Sequence, residues 1–190
     1  MFPSYIENPH HFHFEGQDPQ EKILLLLRAH PVTNLSWIIP AFLLFFFPFL
    51  FFNVLNFFSF PIDLIPESFG LVFLLFNFLL IMVIVLEGFL YWYFNVYIVT
   101  DKNIVDVDFH SILYKNIDVA PLRNIEDTKA SMKGLLHSIF NYGDVFIQTA
   151  GTSENIDFTS VPKPTHVADF ILDHSHIIHG HKGGNLGGNI

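Results

Sequence analysis

Two apolar runs, residues 37–58 and 69–94, constrain this chain more than any other feature. Each meets the ~20 residues that a helix needs to cross a hydrocarbon core ~30 Å thick. No polar side chain occurs between Trp37 and Phe52, and up to Leu90 the second run carries only Asn77 and Glu87. A soluble chain of 190 residues has no interior wide enough to bury two such rods on all sides. The sequence therefore reads as a membrane protein held by a helical hairpin. Composition agrees, with 51% hydrophobic residues, 14% charged ones and 24 Phe that fall mostly in the first hundred positions. The first run starts too far along and lacks a basic leader and a small-residue cleavage site, so both runs are read as retained spans.

The placement of basic residues sets the expected orientation. The connection at 61–68 holds Asp63 and Glu67 but no Lys or Arg, whereas Lys22 and Arg28 precede the first run and Lys102 and Lys115 follow the second. Both termini are thus expected in the cytoplasm, in a two-pass protein of the inner membrane. Tyr91-Trp92-Tyr93, with Trp37 on the other helix, suits the headgroup level. The lack of cysteine excludes disulfides, Cys-based zinc sites and thiol nucleophiles. A net charge of −9 argues against nucleic acid and against strong attraction to anionic headgroups.

Outside the hairpin (36–94) the chain divides into an N-terminal segment (1–35), a domain (95–178) and a Gly/Asn-rich tail (179–190) expected to be disordered. Residues 1–17 are also expected to be poorly ordered. Asp18-Pro19-Gln20-Glu21 has the form of a helix start, with Asp as N-cap and Pro at N1. Residues 22–30 then read either as a short interfacial helix, the preferred reading, or as a strand docking on the domain downstream. After Tyr93 the pattern turns to alternation. Val105, Val107 and Phe109 share one face and Asp106 and Asp108 the other, which predicts a half-buried antiparallel strand. Strands are expected at 96–100, 104–109, 113–119, 122–128, 144–149 and 155–159, with turns at 101–103, 110–111 and 151–153. Helices are expected at 133–142, stopped by Gly143 in a left-handed position, and at 163–178, with Val167, Phe170, Ile171, His174 and Ile178 on one stripe.

Three stretches carry a resemblance: Tyr97-Ile98-Val99-Thr100-Asp101, then Pro121-Leu122-Arg123-Asn124-Ile125-Glu126-Asp127, then Phe140-Asn141-Tyr142-Gly143-Asp144-Val145-Phe146-Ile147-Gln148-Thr149-Ala150-Gly151. In this order, after a transmembrane hairpin, they resemble the bacterial pleckstrin-homology-like (PH-like) membrane proteins over residues 37–173. The resemblance implies an α+β membrane protein, in which a two-helix transmembrane hairpin is followed by a small PH-like antiparallel β domain capped by a C-terminal helix. It implies no activity and brings no catalytic residues. Asn103 stands where the family often has Arg, which weakens a basic rim at that turn. The motif residues read as structural: Gly143 for a tight turn, Tyr142, Val145 and Ile147 for packing, and Pro121 for a strand start.

Candidate chemistry is sparse. His10, His11 and His13 near one end, and His174, His176, His179 and His181 near the other, have spacings that bind Zn²⁺, Ni²⁺ or Cu²⁺. Low-complexity tracts without a second shell read first as incidental metal binders, so no cofactor is expected. Glu87 is the one acid inside the spans and reads mainly as snorkelling toward the headgroups. Asn53 and Asn77 fall at similar depth, where their amides are expected to bond across the hairpin. Lys129 and Lys133 are weak candidates for lipid headgroups in a domain with six basic and eleven acidic residues between Asn95 and Asp173. Paired intramembrane aspartates, H-E-x-x-H and a phosphate-binding loop are all absent from the sequence, so no enzyme is expected. The expected function is a membrane-held protein-interaction or assembly module at the cytoplasmic face, using a strand edge or the groove beside the C-terminal helix. Its partners are the bilayer and a protein, and the Phe-rich hairpin also admits homo-oligomerisation. The alternatives are an accessory subunit of a transport or secretion system, or a lipid- or metal-sensing protein.

Overall fold

The structure, a computed structural model, describes residues 3–9, 12–14, 16–59, 66–111, 114–150 and 155–183. It falls into two units, Met1–Thr33 with Trp92–Ile190, and Asn34–Tyr91. The second unit holds α1 (Leu35–Phe57) and most of α2 (Glu67–Phe94), both long and apolar enough to cross a membrane. Phe73 of α2 meets Phe47, Phe51 and Phe52 of α1 with ring centroids 6.1, 5.1 and 5.9 Å apart. Gly88 packs so close to the Trp37 ring that a Cβ would collide with it. The expected amide pair is not made by Asn53. Its Nδ2 donates to Phe49 O of its own helix at 2.7 Å, while Asn77 is buried. A carbonyl one turn away satisfies the amide without help from the other helix.

Among the described residues the first unit is built from two antiparallel sheets, a short helix and a longer C-terminal one. The larger sheet runs in the order β1 (Tyr5–Glu7), β2 (Ile23–Leu27), β3 (Val96–Thr100), β4 (Asn103–Ser111), β5 (Tyr114–Pro121). The smaller joins β6 (Ile125–Ser131), β7 (Tyr142–Thr149) and β8 (Ile156–Pro162). A short helix, α3 (Leu135–Phe140), lies between β6 and β7, and α4 (Pro164–Gly183) follows β8. The core joins Leu25, Leu27, Val99 and Ile104 of the large sheet to Val145, Ile147 and Phe158 of the small one, with Val167 and Ile171 of α4. The back of the large sheet is covered too, since Leu26, Ile98 and Val105 pack under Ile6 and Phe14.

Several expectations are corrected here. Residues 22–30 do not form a helix: Ile23–Leu27 is a strand whose Leu25 and Leu27 are fully buried. The capping chemistry at 18–21 is real, with Glu21 N donating to Asp18 O at 2.9 Å and Asp18 N to Glu21 Oε2 at 3.2 Å. It closes one turn and no more, because pairing with β3 (Leu25↔Val99, Leu27↔Tyr97) claims the next residues. Tyr5–Glu7, expected to be poorly ordered, pairs with β2. β4 continues through Ser111 where a turn was expected, and Pro121 ends β5 rather than starting a strand. Leu122–Asn124 is a 3-10 turn, which delays β6 to Ile125. The left-handed residue after α3 is Asn141 (φ 50°), not Gly143. α4 continues to Gly183, past the expected end. The turn at 151–153 and the tail from 184 lie outside the described residues.

Candidate interaction surface

β5 ends the large sheet, and no strand lies beyond it among the described residues. Its register on β4 decides which side chains share a face. Asp106 stands opposite Asp118 and Asp108 opposite Asn116, while Val105 stands opposite Val119 and Val107 opposite Ile117. Directly opposed residues of an antiparallel pair point the same way. One face of this edge is therefore acidic and the other aliphatic. Ile117 and Val119 are 41% and 56% exposed, because the covering by Ile6 and Phe14 stops at the middle of the sheet.

At Asp106 the acidic face is not the solvated one that alternation predicted, although Asp118 beside it on β5 is exposed. Ile104 and Asp106 lie on the core side of β4, beside Tyr97, which pairs with Asp106. Asp106 is 5% exposed, and its Oδ1 is buried without a hydrogen-bond partner. Burial first, then repulsion from Asp108, Asp118 and Asp157, pushes its carboxyl up to about 8. Burial also holds the Tyr97 phenol well above its ordinary value. The Tyr97 hydroxyl lies 2.7 Å from Thr159 Oγ1 and accepts from Thr159 N at 3.1 Å, which ties β3 to β8. Four aspartates from β4, β5 and β8 thus bear on one place at the end of the core. Sequence alone does not show this juxtaposition, because Asp157 is remote from β4 and alternation marks β4 only as half-buried.

The other sequence candidates are scattered. His10 and His11 lie outside the described residues, and His13 is exposed. His174 stacks on Phe170, and its Nδ1 lies 2.7 Å from Phe170 O, while His176 is exposed on α4. His179 and His181 lie in the last turns of α4. No group of three metal-binding side chains occurs among the described residues. Glu87 is exposed on α2, and Lys129 and Lys133 are exposed on β6 and just before α3. Asn103 takes a structural place: its Nδ2 donates to Glu21 Oε1 at 3.0 Å, and Glu21 also accepts from Thr100 Oγ1. Thr100 in turn accepts from the backbone N of Asn103 and of Lys102, at 2.7 and 3.1 Å. Thr100 thereby organises the β3–β4 turn.

Trp92 and Tyr93, read from sequence as interface markers, also have a fold role. Trp92 Nε1 donates to Ala29 O at 2.8 Å, and the Arg28 guanidinium lies 4.8 Å from the Tyr93 ring centroid. The family described as bacterial PH domain matches residues 31–175. No curated protein and no solved structure matches the chain. Two antiparallel sheets closed by a C-terminal helix fit that match, and the chain belongs to the bacterial PH domain family.

Proposed function

We propose that this protein is a membrane-held recruitment module, without catalytic activity, whose β5 edge takes up an extended segment of a partner protein. The outer edge of β5 carries the reading: with no strand beside it among the described residues, it offers backbone groups for pairing between an acidic face and an aliphatic one. A strand added there places alternate side chains on opposite faces. The matching segment therefore alternates basic residues, set toward the exposed Asp118, with aliphatic ones set beside Ile117 and Val119. A second copy of β5 is a poorer occupant, since pairing like with like gathers aspartates on one face.

The membrane setting supports this role. β2 precedes the apolar hairpin and β3 follows it, and the pair is in register at Leu27↔Tyr97. Strands paired with each other lie on one side of a bilayer, so the chain between them crosses an even number of times. The basic residues on both flanks, and their absence from the connection, favour the cytoplasmic side of the inner membrane. PH-like domains are generally non-catalytic, and the edge offers backbone and packing groups rather than a nucleophile.

Photocrosslinking residues placed in the full-length protein in cells, at Asn116 and Val119 and at Ile177 as a control, test the proposal. The expected result is a discrete adduct at 116 and 119, absent at 177, whose crosslinked peptide alternates basic and aliphatic residues. Equal adducts at all three positions, or peptides with no alternation, would overturn it.

A further inference from the structure

The six-residue helix α3 is amphipathic in the reverse sense. His137 stacks on buried Tyr142 with ring centroids 4.3 Å apart, so a polar residue faces the domain. Leu135, Leu136, Ile139 and Phe140 lie together on the other side of the helix, and Met132 precedes them. All five are exposed, Leu135 at 77% and Ile139 at 63%. This is the largest concentration of exposed apolar side chains among the described residues of the β unit.

Its place in the fold indicates what covers it. The chain leaves this unit at Thr33 and returns at Trp92, and the Trp92–Ala29 hydrogen bond ties the two crossings together. His30, the next residue after Ala29, stacks on Tyr142 at 5.2 Å and lies 6.4 Å from the Phe140 ring. Phe140 of α3 therefore lies near His30, three residues before the chain leaves this unit for a helix fit to cross a membrane. Trp92 and Tyr93 are residues suited to headgroup depth. Lys133, exposed just before α3, adds a basic charge on an otherwise acidic molecule.

We propose that Met132 and α3 dip into the headgroup–acyl boundary of the bilayer that holds the hairpin. Short apolar projections bind membranes by burying this kind of surface, with nearby Lys residues meeting anionic headgroups. Together with the two chain crossings, α3 gives the domain a third contact with the membrane. Three contacts fix its tilt, whereas two leave it free to swing.

The chain lacks cysteine, so single introduced thiols report without background. Leu135→Cys and Ile139→Cys, with Ile177→Cys on α4 and Val119→Cys on β5 as controls, are labelled with an environment-sensitive fluorophore. Each full-length variant is reconstituted in phosphatidylethanolamine–phosphatidylglycerol vesicles and quenched by lipid-borne nitroxide or by aqueous iodide. Labels at 135 and 139 are expected to be quenched several-fold more by the nitroxide than the controls, and to be shielded from iodide. Labels at 135 and 139 as open to iodide as the controls would overturn the proposal. So would labels shielded from both quenchers, which would assign the face to a second copy or a protein partner. Two positions a turn apart keep the test readable if one variant fails to fold.

Discussion

The Asp106 carboxyl is ionised only at a cost to the folded state, because burial and three further aspartates oppose its charge. Its ordinary value is 3.8 and its folded value about 8. Between those limits the folded chain keeps a proton that the unfolded chain has lost, so this residue lowers stability as pH rises through the window and no further above it. Asp106→Asn removes that dependence. The variant is expected to melt above the wild type at pH 8 and close to it at pH 4, as followed by intrinsic fluorescence of the reconstituted protein. A constant difference at both pH values would show that Asp106 titrates normally. The residue was legible as an aspartate in an alternating strand, but its burial was not. Alternation shows which residues share a face, and only the packing of α4 and the small sheet decides that this face is the interior.

At the scale of elements, close approach explains what local signals did not. Gly143 was legible as a residue that must lack a side chain, but the reason lies in β6. The Ser131 carbonyl occupies the place of a Cβ, with Met132 Cγ at 2.9 Å from it. Gly143→Val is therefore expected to push β7 off β6 and cost about 1–3 kcal/mol, the usual range for overpacking. Denaturant unfolding of the reconstituted protein measures it, and a variant as stable as the wild type would show that β6 yields freely. β7, β8 and α4 were legible because their apolar periods are local. β2 was legible only as the lesser of two readings, because Ile23–Leu27 is a continuous apolar run with no period to read. Its identity comes from β3, which lies beyond both long helices in sequence.

At the scale of the whole molecule, the hairpin is an insertion within a β-sheet. β2 lies before it and β3 after it, and the family match begins at residue 31, beyond β1 and β2. The matched region therefore omits Leu25 and Leu27, which are buried in the core. Removing residues 1–30 is expected to leave the domain open to protease in membrane fractions. Resistance that survived this truncation would show that β3 tolerates a bare edge. The hairpin and the PH-like order of elements were legible, since length, apolarity and the three motif stretches carry them. The β5 edge was legible only as a general possibility of the fold. Its two-faced character appears once register sets Asp106 against Asp118 and Val105 against Val119. The most direct test is a titration of the full-length protein, reconstituted in bilayers, with a peptide that alternates Lys and Val. A second peptide of the same composition has its Lys and Val segregated into two blocks. The alternating peptide is expected to bind about tenfold more tightly or better, a difference of ~1.4 kcal/mol, and to lose that advantage in Asp118→Lys or Val119→Lys. Equal affinity for the two peptides, unchanged in both variants, would contradict recognition at the β5 edge.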